Sequence, residues 1–145
     1  MAKCLTKYFG AMQYDSEAVW RFPEGLPAFE AERTFIPIEH PTTRPLVYLQ
    51  SLTTPEVCFV GLPVKSIVGD YKLELSEEDR ELIGLSGEAA LDPGADGILC
   101  LALITIRENG TTANLMAPVL ANLRTGQAVQ AISPAGSYSH RHPLG

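Results

Sequence analysis

The chain has 145 residues, 46% of them hydrophobic and 19% charged, a composition that excludes disordered and fibrous proteins and predicts one domain over residues 1–145. The longest apolar run, residues 98–104, is far shorter than the roughly 20 residues of a membrane-spanning helix. No apolar secretion signal opens the sequence, the three cysteines are widely spaced, and the net charge is −6, so we predict a cytoplasmic protein that contacts neither membrane nor nucleic acid directly.

Short runs of strand-forming residues, separated by prolines and glycines, predict a mainly β fold. Nine such runs follow one another along the chain: 3–9, 11–14, 18–22, 34–39, 46–52, 56–62, 97–107, 112–123 and 127–132. Runs of this length with turns between them favour a small antiparallel β-barrel or sandwich over a βαβ sheet. Pro37 and Pro118 interrupt two of the runs and predict an edge or a bulge there.

One or two short helices are expected between these strands. Ser76 precedes three acidic residues, the pattern of an N-cap followed by acids in the first helical turn, and Gly84 marks the end about two turns later. Because an isolated helix of this length is unstable in water, it must pack on the sheet. A second, single turn is predicted over residues 28–33, after Pro27.

The C-terminal third has the clearest strand pattern. Residues 97–107 are almost continuously apolar, which predicts burial on both faces of that strand. Asn109-Gly110 predicts a tight hairpin turn into the next strand, because both residue types tolerate positive φ. Residues 133–145 are interpreted as a C-terminal tail.

The negative charge is concentrated in one segment. Residues 70–92 carry eight acidic and two basic side chains, whereas the other residues carry nine of each, so the whole excess lies in this stretch. Its simplest interpretation is a solvated helix with flanking loops. A second, compatible interpretation is a surface that attracts a basic partner or repels phosphate. The candidate partner-binding residues in this segment are Asp70, Glu74, Glu77, Glu78 and Glu81.

No constellation of residues predicts catalysis. The sequence has no Gly-x-Ser-x-Gly elbow, no phosphate-binding P-loop and no Gly-x-Gly-x-x-Gly fingerprint. His140 and His142 lie two residues apart, but a zinc site needs three or four protein ligands. Cys58 and Cys100 fall inside predicted strands and are interpreted as core residues. We therefore expect no enzyme, no metal and no cofactor.

Residues 22–30 form an unusual loop, with two prolines, one glycine and two phenylalanines in nine residues. Each proline fixes φ, and Gly25 can adopt positive φ, so the loop is conformationally narrow. It is either a rigid corner pinned to the core or a preorganised recognition loop. On the second interpretation Leu26 and Phe29, together with Tyr138 of the tail, are the candidate docking residues.

Several segments, in order along nearly the whole chain, resemble the flagellar assembly factor FliW family. They are Thr6-Lys7-Tyr8-Phe9-Gly10, the loop 22–30, Tyr48-Leu49-Gln50-Ser51, Leu75-Ser76-Glu77-Glu78-Asp79, Asn114-Leu115-Met116-Ala117-Pro118-Val119, and Tyr138 followed by Arg141-His142-Pro143-Leu144. The sequence departs from the family pattern in two places: Ala28 stands where a second glycine is usual, and residues 60–66 are less apolar than usual.

The resemblance implies a small β-barrel of the bacterial cytoplasm that binds two partner proteins and is not an enzyme. One partner is flagellin before its export. The other is the carbon storage regulator CsrA, an RNA-binding protein that represses flagellin translation. Exchange between the two partners would couple flagellin synthesis to secretion. We expect the acidic segment near the RNA-binding face of CsrA, and an apolar helix of flagellin in a groove between loops.

Two other classes remain open at this point. A flavin-binding split-barrel oxidoreductase has similar size and strand content, but it needs phosphate contacts that no run here supplies clearly. A barrel that carries a small apolar ligand needs an internal cavity. Leu99, Leu101, Leu103 and Ile104 are bulky enough to fill a small barrel.

Overall fold

A computed structural model of the chain describes residues 2–85, 97–132 and 138–144. Within those ranges the chain forms ten strands and one α-helix. They are β1 (Ala2–Thr6), β2 (Gly10–Tyr14), β3 (Trp20–Arg21), β4 (Thr34–Glu39), β5 (Val47–Ser51), β6 (Cys58–Pro63), α1 (Glu77–Leu82), β7 (Ile98–Arg107), β8 (Gly110–Asn122), β9 (Gln127–Gln130) and β10 (His142–Pro143).

Seven strands, β3 to β9, close into a barrel. Antiparallel pairing runs in chain order from β3 to β9, and β3 then meets β9 in parallel through one register position, Arg21 opposite Gln127. Strand β10 adds to the free edge of β8, and β1 and β2 form a separate hairpin. The prediction of a small, mainly β, barrel-like fold is confirmed.

Two apolar cores lie on the two faces of the barrel wall. The interior core is built by Trp20, Phe22, Leu26, Phe35, Val47, Leu49, Leu101, Val119, Ala121 and Ala128. The outer core lies against β7, β8 and β9 and is covered by residues from 64 to 85. Leu101 of β7 belongs to the interior core, whereas Cys100 and Ala102 belong to the outer one, which confirms the prediction that both faces of this strand are buried.

The interior of the barrel is occupied by protein side chains. Leu99 and Leu103 pack against the interior core as expected, whereas Ile104 is half-buried and takes no part in it. The phenylalanines at 22 and 35 meet edge to face, with ring centroids 5.4 Å apart. A packed interior of this kind argues against the apolar-ligand carrier. Cys100 is a core residue as predicted, but Cys58 is only half-buried.

The predicted strands are largely confirmed, with corrections at their ends. The prediction for 34–39 matches β4, whereas the run 18–22 forms only a two-residue strand because a 3-10 turn occupies Ser16–Ala18. Pro118 lies in a bulge, as predicted, where the register between β7 and β8 shifts. The Asn114 carboxamide oxygen accepts hydrogen bonds from two backbone amides of that bulge, at 3.1 and 3.0 Å.

The hairpin turn between β7 and β8 is one residue earlier than the sequence suggested. Arg107 pairs with Gly110, so Glu108 and Asn109 are the two central residues, and neither has positive φ. Of the residues from Arg107 to Gly110, only Gly110 has a positive φ, at +135°. The glycine therefore provides the backbone freedom just after the turn, where the chain re-enters the ladder.

The predicted α1 is confirmed at both ends, but the predicted helical turn over 28–33 is wrong. The Ser76 hydroxyl accepts a hydrogen bond from the Asp79 amide, and Gly84 has φ +72°. In the loop, Pro27 and Ala28 instead form the corner of a tight turn, closed by a 2.7 Å hydrogen bond from the Phe29 amide to the Leu26 carbonyl. Positive φ at Ala28 is incompatible with a right-handed helical turn.

Candidate functional site

The acidic segment lies over the outer core with its charges turned to solvent. From 70 to 75 the residues alternate: Tyr71, Leu73 and Leu75 face the core, whereas Asp70 and Glu74 are exposed. The acids Glu77, Glu78 and Glu81 are exposed on α1. The five predicted acids of the described part are therefore all exposed to solvent, and we call the segment that carries them the acidic cover (residues 70–85). Glu88 and Asp92 lie outside the described residues.

Helix α1 is fixed to the barrel at its C-terminal end. Ile83 is fully buried in the outer core. The Asn122 side chain, itself buried, donates a 2.8 Å hydrogen bond to the Ile83 carbonyl and accepts one of 3.1 Å from the Arg124 amide. The helix end, β8 and the turn into β9 are thus joined through one side chain. This anchoring holds the acids of α1 in a fixed position relative to the barrel.

The other end of the acidic cover is held by two stacked tyrosines. The rings of Tyr71 and Tyr138 lie nearly parallel, with centroids 4.3 Å apart. The Tyr71 hydroxyl donates a 2.6 Å hydrogen bond to the Leu115 carbonyl in the β8 bulge, and the Tyr138 hydroxyl accepts one of 2.9 Å from the Lys72 amide. Tyr138, predicted as a docking residue, is therefore half-buried and ties the tail to the cover.

We expect Tyr71→Phe to lower the free energy of unfolding at pH 7 by about 1–3 kcal/mol, because it leaves the buried Leu115 carbonyl without its donor. Burial raises the pKa of Tyr71 above its ordinary value of 10, with smaller contributions from Cys100 and Tyr138. The folded state therefore favours the protonated phenol, and the stability it contributes is present below pH 10 and lost at higher pH. Denaturant unfolding across pH 7–11 should show a flatter alkaline decline in the variant.

The exposed Tyr8 offers a control for that series. Tyr8→Phe should change neither the stability at pH 7 nor the alkaline slope. Burial also raises the pKa of Cys100, to about 12, so part of the slope persists in both variants. If the loss of stability with rising pH were unchanged in Tyr71→Phe, the assignment of part of that loss to Tyr71 would be contradicted.

The loop 22–30 is part of the barrel, and this corrects one predicted docking residue. Leu26 is only 2% exposed and belongs to the interior core, so its side chain cannot contact a partner. Phe29 is 43% exposed and packs edge to face on Phe59, with ring centroids 5.2 Å apart. The Arg33 guanidinium donates to the carbonyls of Pro23 and Glu30, which fixes the loop from its far side. The loop is thus a rigid corner that exposes part of one aromatic ring.

Ala28 carries backbone strain in this corner, since its φ is +68°. An L-residue in this region costs about 1–2 kcal/mol, and glycine avoids that cost but loses more chain entropy, about 0.4–1 kcal/mol. We therefore expect Ala28→Gly to raise the free energy of unfolding by about 0.5–1 kcal/mol. Ala31, exposed and without positive φ, is the matched control: Ala31→Gly should lower stability. Urea unfolding of both variants measures the difference, and a loss of stability in Ala28→Gly would contradict it.

The structure brings the loop and the acidic cover together at one groove of about 520 Å³. One wall is the loop, with Pro23, Glu24, Gly25, Pro27 and Glu30. The facing wall is α1 with its N-cap, through Ser76, Glu78, Asp79 and Leu82, and the floor is β9 with a residue that follows it, Ala128, Val129, Gln130 and Ile132. Sequence reasoning selected Glu78 as a partner-binding residue and the loop 22–30 as a possible recognition loop. It did not identify the floor, whose one signal is the apolar Ile132 at the end of the last predicted strand.

The described part of the chain defines a closed β-barrel protein whose outer wall carries an anchored acidic cover. Residues 3–144 match the FliW protein family, and the chain therefore belongs to the FliW family of flagellar assembly factors. No helix in the described ranges has the length and apolar character needed to cross a membrane.

Individual relatives give the same result over nearly full length. The chain is 32% identical over 145 residues to the flagellar assembly factor FliW of Syntrophotalea carbinolica, covering 99% of each chain. It is 29% identical over 144 residues to that of Syntrophomonas wolfei, covering 98% of this chain and 88% of the relative. A crystal structure of the flagellar assembly factor FliW superposes with a TM-score of 0.85 at 28% identity, covering 99% of this chain and 97% of the other.

Proposed function

We propose that this flagellar assembly factor acts in the cytoplasm by binding the RNA-binding repressor CsrA and, alternately, flagellin before its export. Binding of CsrA releases the flagellin message from repression, and binding of flagellin withdraws the factor from CsrA. The protein thereby matches flagellin synthesis to secretion. It is a regulator that works through protein contacts.

The observation that carries this proposal is the acidic cover. Its apolar residues are buried in the outer core and its acids are exposed, so the charges form a fixed surface. An RNA-binding protein presents a basic face to the phosphates of its RNA. A fixed anionic surface placed beside that face repels phosphate over a Debye length of about 8 Å at physiological salt. The acids need not supply the binding energy, since charge contributes more to steering and specificity than to affinity.

Flagellin binding rests on two aromatic side chains at separate places. Leu26 is buried, so the residues proposed to contact a flagellin helix are Phe29 of the loop, which packs on Phe59 beside the interior core, and the half-buried Tyr138 of the tail, which stacks on Tyr71 in the outer core. Helix-in-groove recognition places apolar anchors of the helix against such side chains. Phe29→Ser is the suitable probe for this contact, because its ring is partly exposed, whereas Leu26→Ser would damage the interior core.

Competition between the two partners tests the proposal. The purified chain is added to a complex of CsrA with labelled flagellin-leader RNA, and RNA release is followed by fluorescence anisotropy. We expect release to be saturable and to be blocked by prior addition of flagellin. A chain that binds neither protein, or that purifies with a yellow flavin, would contradict the proposal.

A further inference from the structure

The C-terminal part of the chain connects the barrel wall to the acidic cover. Residues 138–144, which we call the tail strap, lie beside the first half of β8. Tyr138, at one end of the strap, stacks on Tyr71 of the cover, and Leu144, at the other end, packs against the outer core. The Leu144 amide also donates a 2.9 Å hydrogen bond to the Thr111 carbonyl. The strap therefore contacts β8 at several points and the cover at one end.

One residue of β8 is bonded to both the strap and the cover. The Leu115 amide donates a 3.0 Å hydrogen bond to the Ser139 carbonyl of the strap. The Leu115 carbonyl accepts the 2.6 Å hydrogen bond from the Tyr71 hydroxyl of the cover. Between strap and cover, the Lys72 amide donates a 2.9 Å hydrogen bond to the Tyr138 hydroxyl. The strap, the cover and β8 thus form one bonded junction.

The strap is held less firmly than the other end of the cover. Its pairing with β8 covers two register positions, and four of its seven residues are exposed. At the other end of the cover, Ile83 is fully buried and its carbonyl is bonded to the buried Asn122 side chain. Segments with few buried contacts open locally, at a lower free energy than global unfolding. We therefore expect the strap to open while α1 stays anchored.

We infer that the tail strap controls the position of the acidic cover, and that a partner helix that binds Tyr138 releases one end of the cover. When Tyr138 leaves its stack, the ring of Tyr71, now 3% exposed, meets water, and the Lys72 amide loses its acceptor. Asp70 and Glu74 then lose their fixed position. The inference rests on the proposed function for the identity of the partners, and it adds the means by which binding at one site weakens binding at the other.

The difference in exposure of Tyr138 between the two states gives a partner its effect. A ligand shifts an equilibrium only when it binds one state more tightly than the other. Tyr138 is half-buried against Tyr71 while the strap is closed, so a helix that packs on its ring has more of that ring available once the strap opens. The coupling is reciprocal, so CsrA on the closed cover weakens flagellin binding by the same factor. Alternation of the partners then requires no overlap of their sites.

Hydrogen exchange on the full chain tests the strap without any partner. Leu144→Ser removes the apolar contact at the end of the strap that lies away from the cover. We expect exchange of the Lys72 amide to become about tenfold faster, because this amide loses its acceptor whenever the strap opens. The Ser51 amide, bonded to the Val57 carbonyl, and the Ile83 amide of α1 should change less than about twofold, because the strap opens locally.

Leu5→Ser is the matched control for this change, since Leu5 is an exposed leucine on β1, outside the strap. It should leave all three exchange rates unaltered. Equal acceleration of the Lys72, Ser51 and Ile83 amides by Leu144→Ser would show a global loss of stability and would overturn the strap as a separate opening unit. An unaltered Lys72 rate would overturn the connection between strap and cover.

A reversible cross-link tests the regulation. The Leu144 amide bonds to the Thr111 carbonyl, so the next pair, Pro143 opposite Thr112, is of the non-hydrogen-bonded kind. The Cα atoms of such a pair lie about 4.5 Å apart, a separation that permits a disulfide. Pro143→Cys with Thr112→Cys therefore fixes the strap to β8 when oxidised and frees it when reduced.

The cross-linked variant should separate CsrA binding from its control by flagellin. We expect the oxidised and reduced forms to bind CsrA equally, since the cover is closed in both. The flagellin concentration that displaces CsrA should be about tenfold higher for the oxidised form, because its strap cannot open. The wild-type chain, treated with the same oxidant and reductant, is the control for its own cysteines and should show no difference between the two treatments.

The results distinguish this inference from the proposed function. Equal displacement of CsrA from the oxidised and reduced forms would overturn the release of the cover by flagellin and leave the proposed function standing. If the wild-type chain binds neither CsrA nor flagellin, the proposed function fails and the release by a partner fails with it. The hydrogen-exchange result needs neither protein and decides independently whether the strap holds the cover.

Discussion

Replacing Gly25 with alanine is expected to lower the free energy of unfolding by about 1.5–4 kcal/mol, the sum of a net left-handed backbone cost of about 0.5–1 kcal/mol and a local displacement of about 1–3 kcal/mol. Gly25 has φ +70°, and an added Cβ would lie 2.5 Å from the Glu30 carbonyl oxygen and 2.7 Å from the Glu30 Cα. Both contacts are with backbone, so no side-chain rotation relieves them. Urea unfolding at neutral pH gives the measurement.

Gly10 provides the matched control for this change. Its φ is +69°, and nothing lies within 4 Å of an added Cβ. Gly10→Ala therefore isolates the conformational cost, which we expect to be about 0.5–1 kcal/mol once the lower chain entropy of unfolded alanine is subtracted. Equal losses in the two variants would show that the close approach of Gly25 to Glu30 does not restrict the loop.

Reversing three charges on α1 is expected to weaken RNA release at least tenfold while CsrA binding persists. The variant replaces Glu77, Glu78 and Glu81 with lysine, and each replacement changes the charge by +2, which takes the net charge from −6 to zero. If the acidic cover acts by repelling phosphate, the concentration needed to release RNA from CsrA should rise at least tenfold, the equivalent of about 1.4 kcal/mol. Binding and release are measured separately, by pull-down and by anisotropy.

A second triple variant distinguishes the effect of the charges on α1 from the effect of the net charge of the chain. Glu17, Glu39 and Glu108 are exposed acids outside the cover, and their replacement by lysine gives the same net charge. We expect this control to release RNA almost normally. Lysines near the N-terminus of α1 also interact unfavourably with the helix dipole. A variant with glutamine at 77, 78 and 81 removes the negative charges without adding that interaction. Normal release by the lysine variant on α1 would rule out phosphate repulsion.

The sequence predicts the parts of this fold that depend on local patterns. Ser76 and Gly84 bound α1 because a cap and a glycine act within a few residues of the helix ends. The continuous apolar run of β7 predicts two buried faces, and the structure adds the reason, which is that an interior and an outer core lie on its two sides. From 70 to 75 the sequence itself alternates charged with apolar residues, which matches the alternation of exposed and core-facing side chains in the structure.

Features that depend on distant parts of the chain could not be predicted in the same way. Leu26 lies in a loop rich in proline and glycine, and its sequence neighbours do not show that the end of the barrel closes over it and buries it. The stack of Tyr71 on Tyr138 and the hydrogen bond from Asn122 to Ile83 join residues far apart in sequence. The groove likewise takes its walls and floor from three separate segments. Such contacts follow from the closure of the barrel, which no local pattern specifies.

The seam at Arg21 and Gln127 has a consequence for synthesis on the ribosome. Its two sides are separated by most of the polypeptide, and pairing of such distant strands forms late because a large loop must be ordered first. A nascent chain therefore lacks both the closed barrel and the floor of the groove until β9 has left the exit tunnel. A product terminated before β9 would therefore lack part of the barrel wall on which the acidic cover packs, and we expect it to be inert rather than a partial regulator.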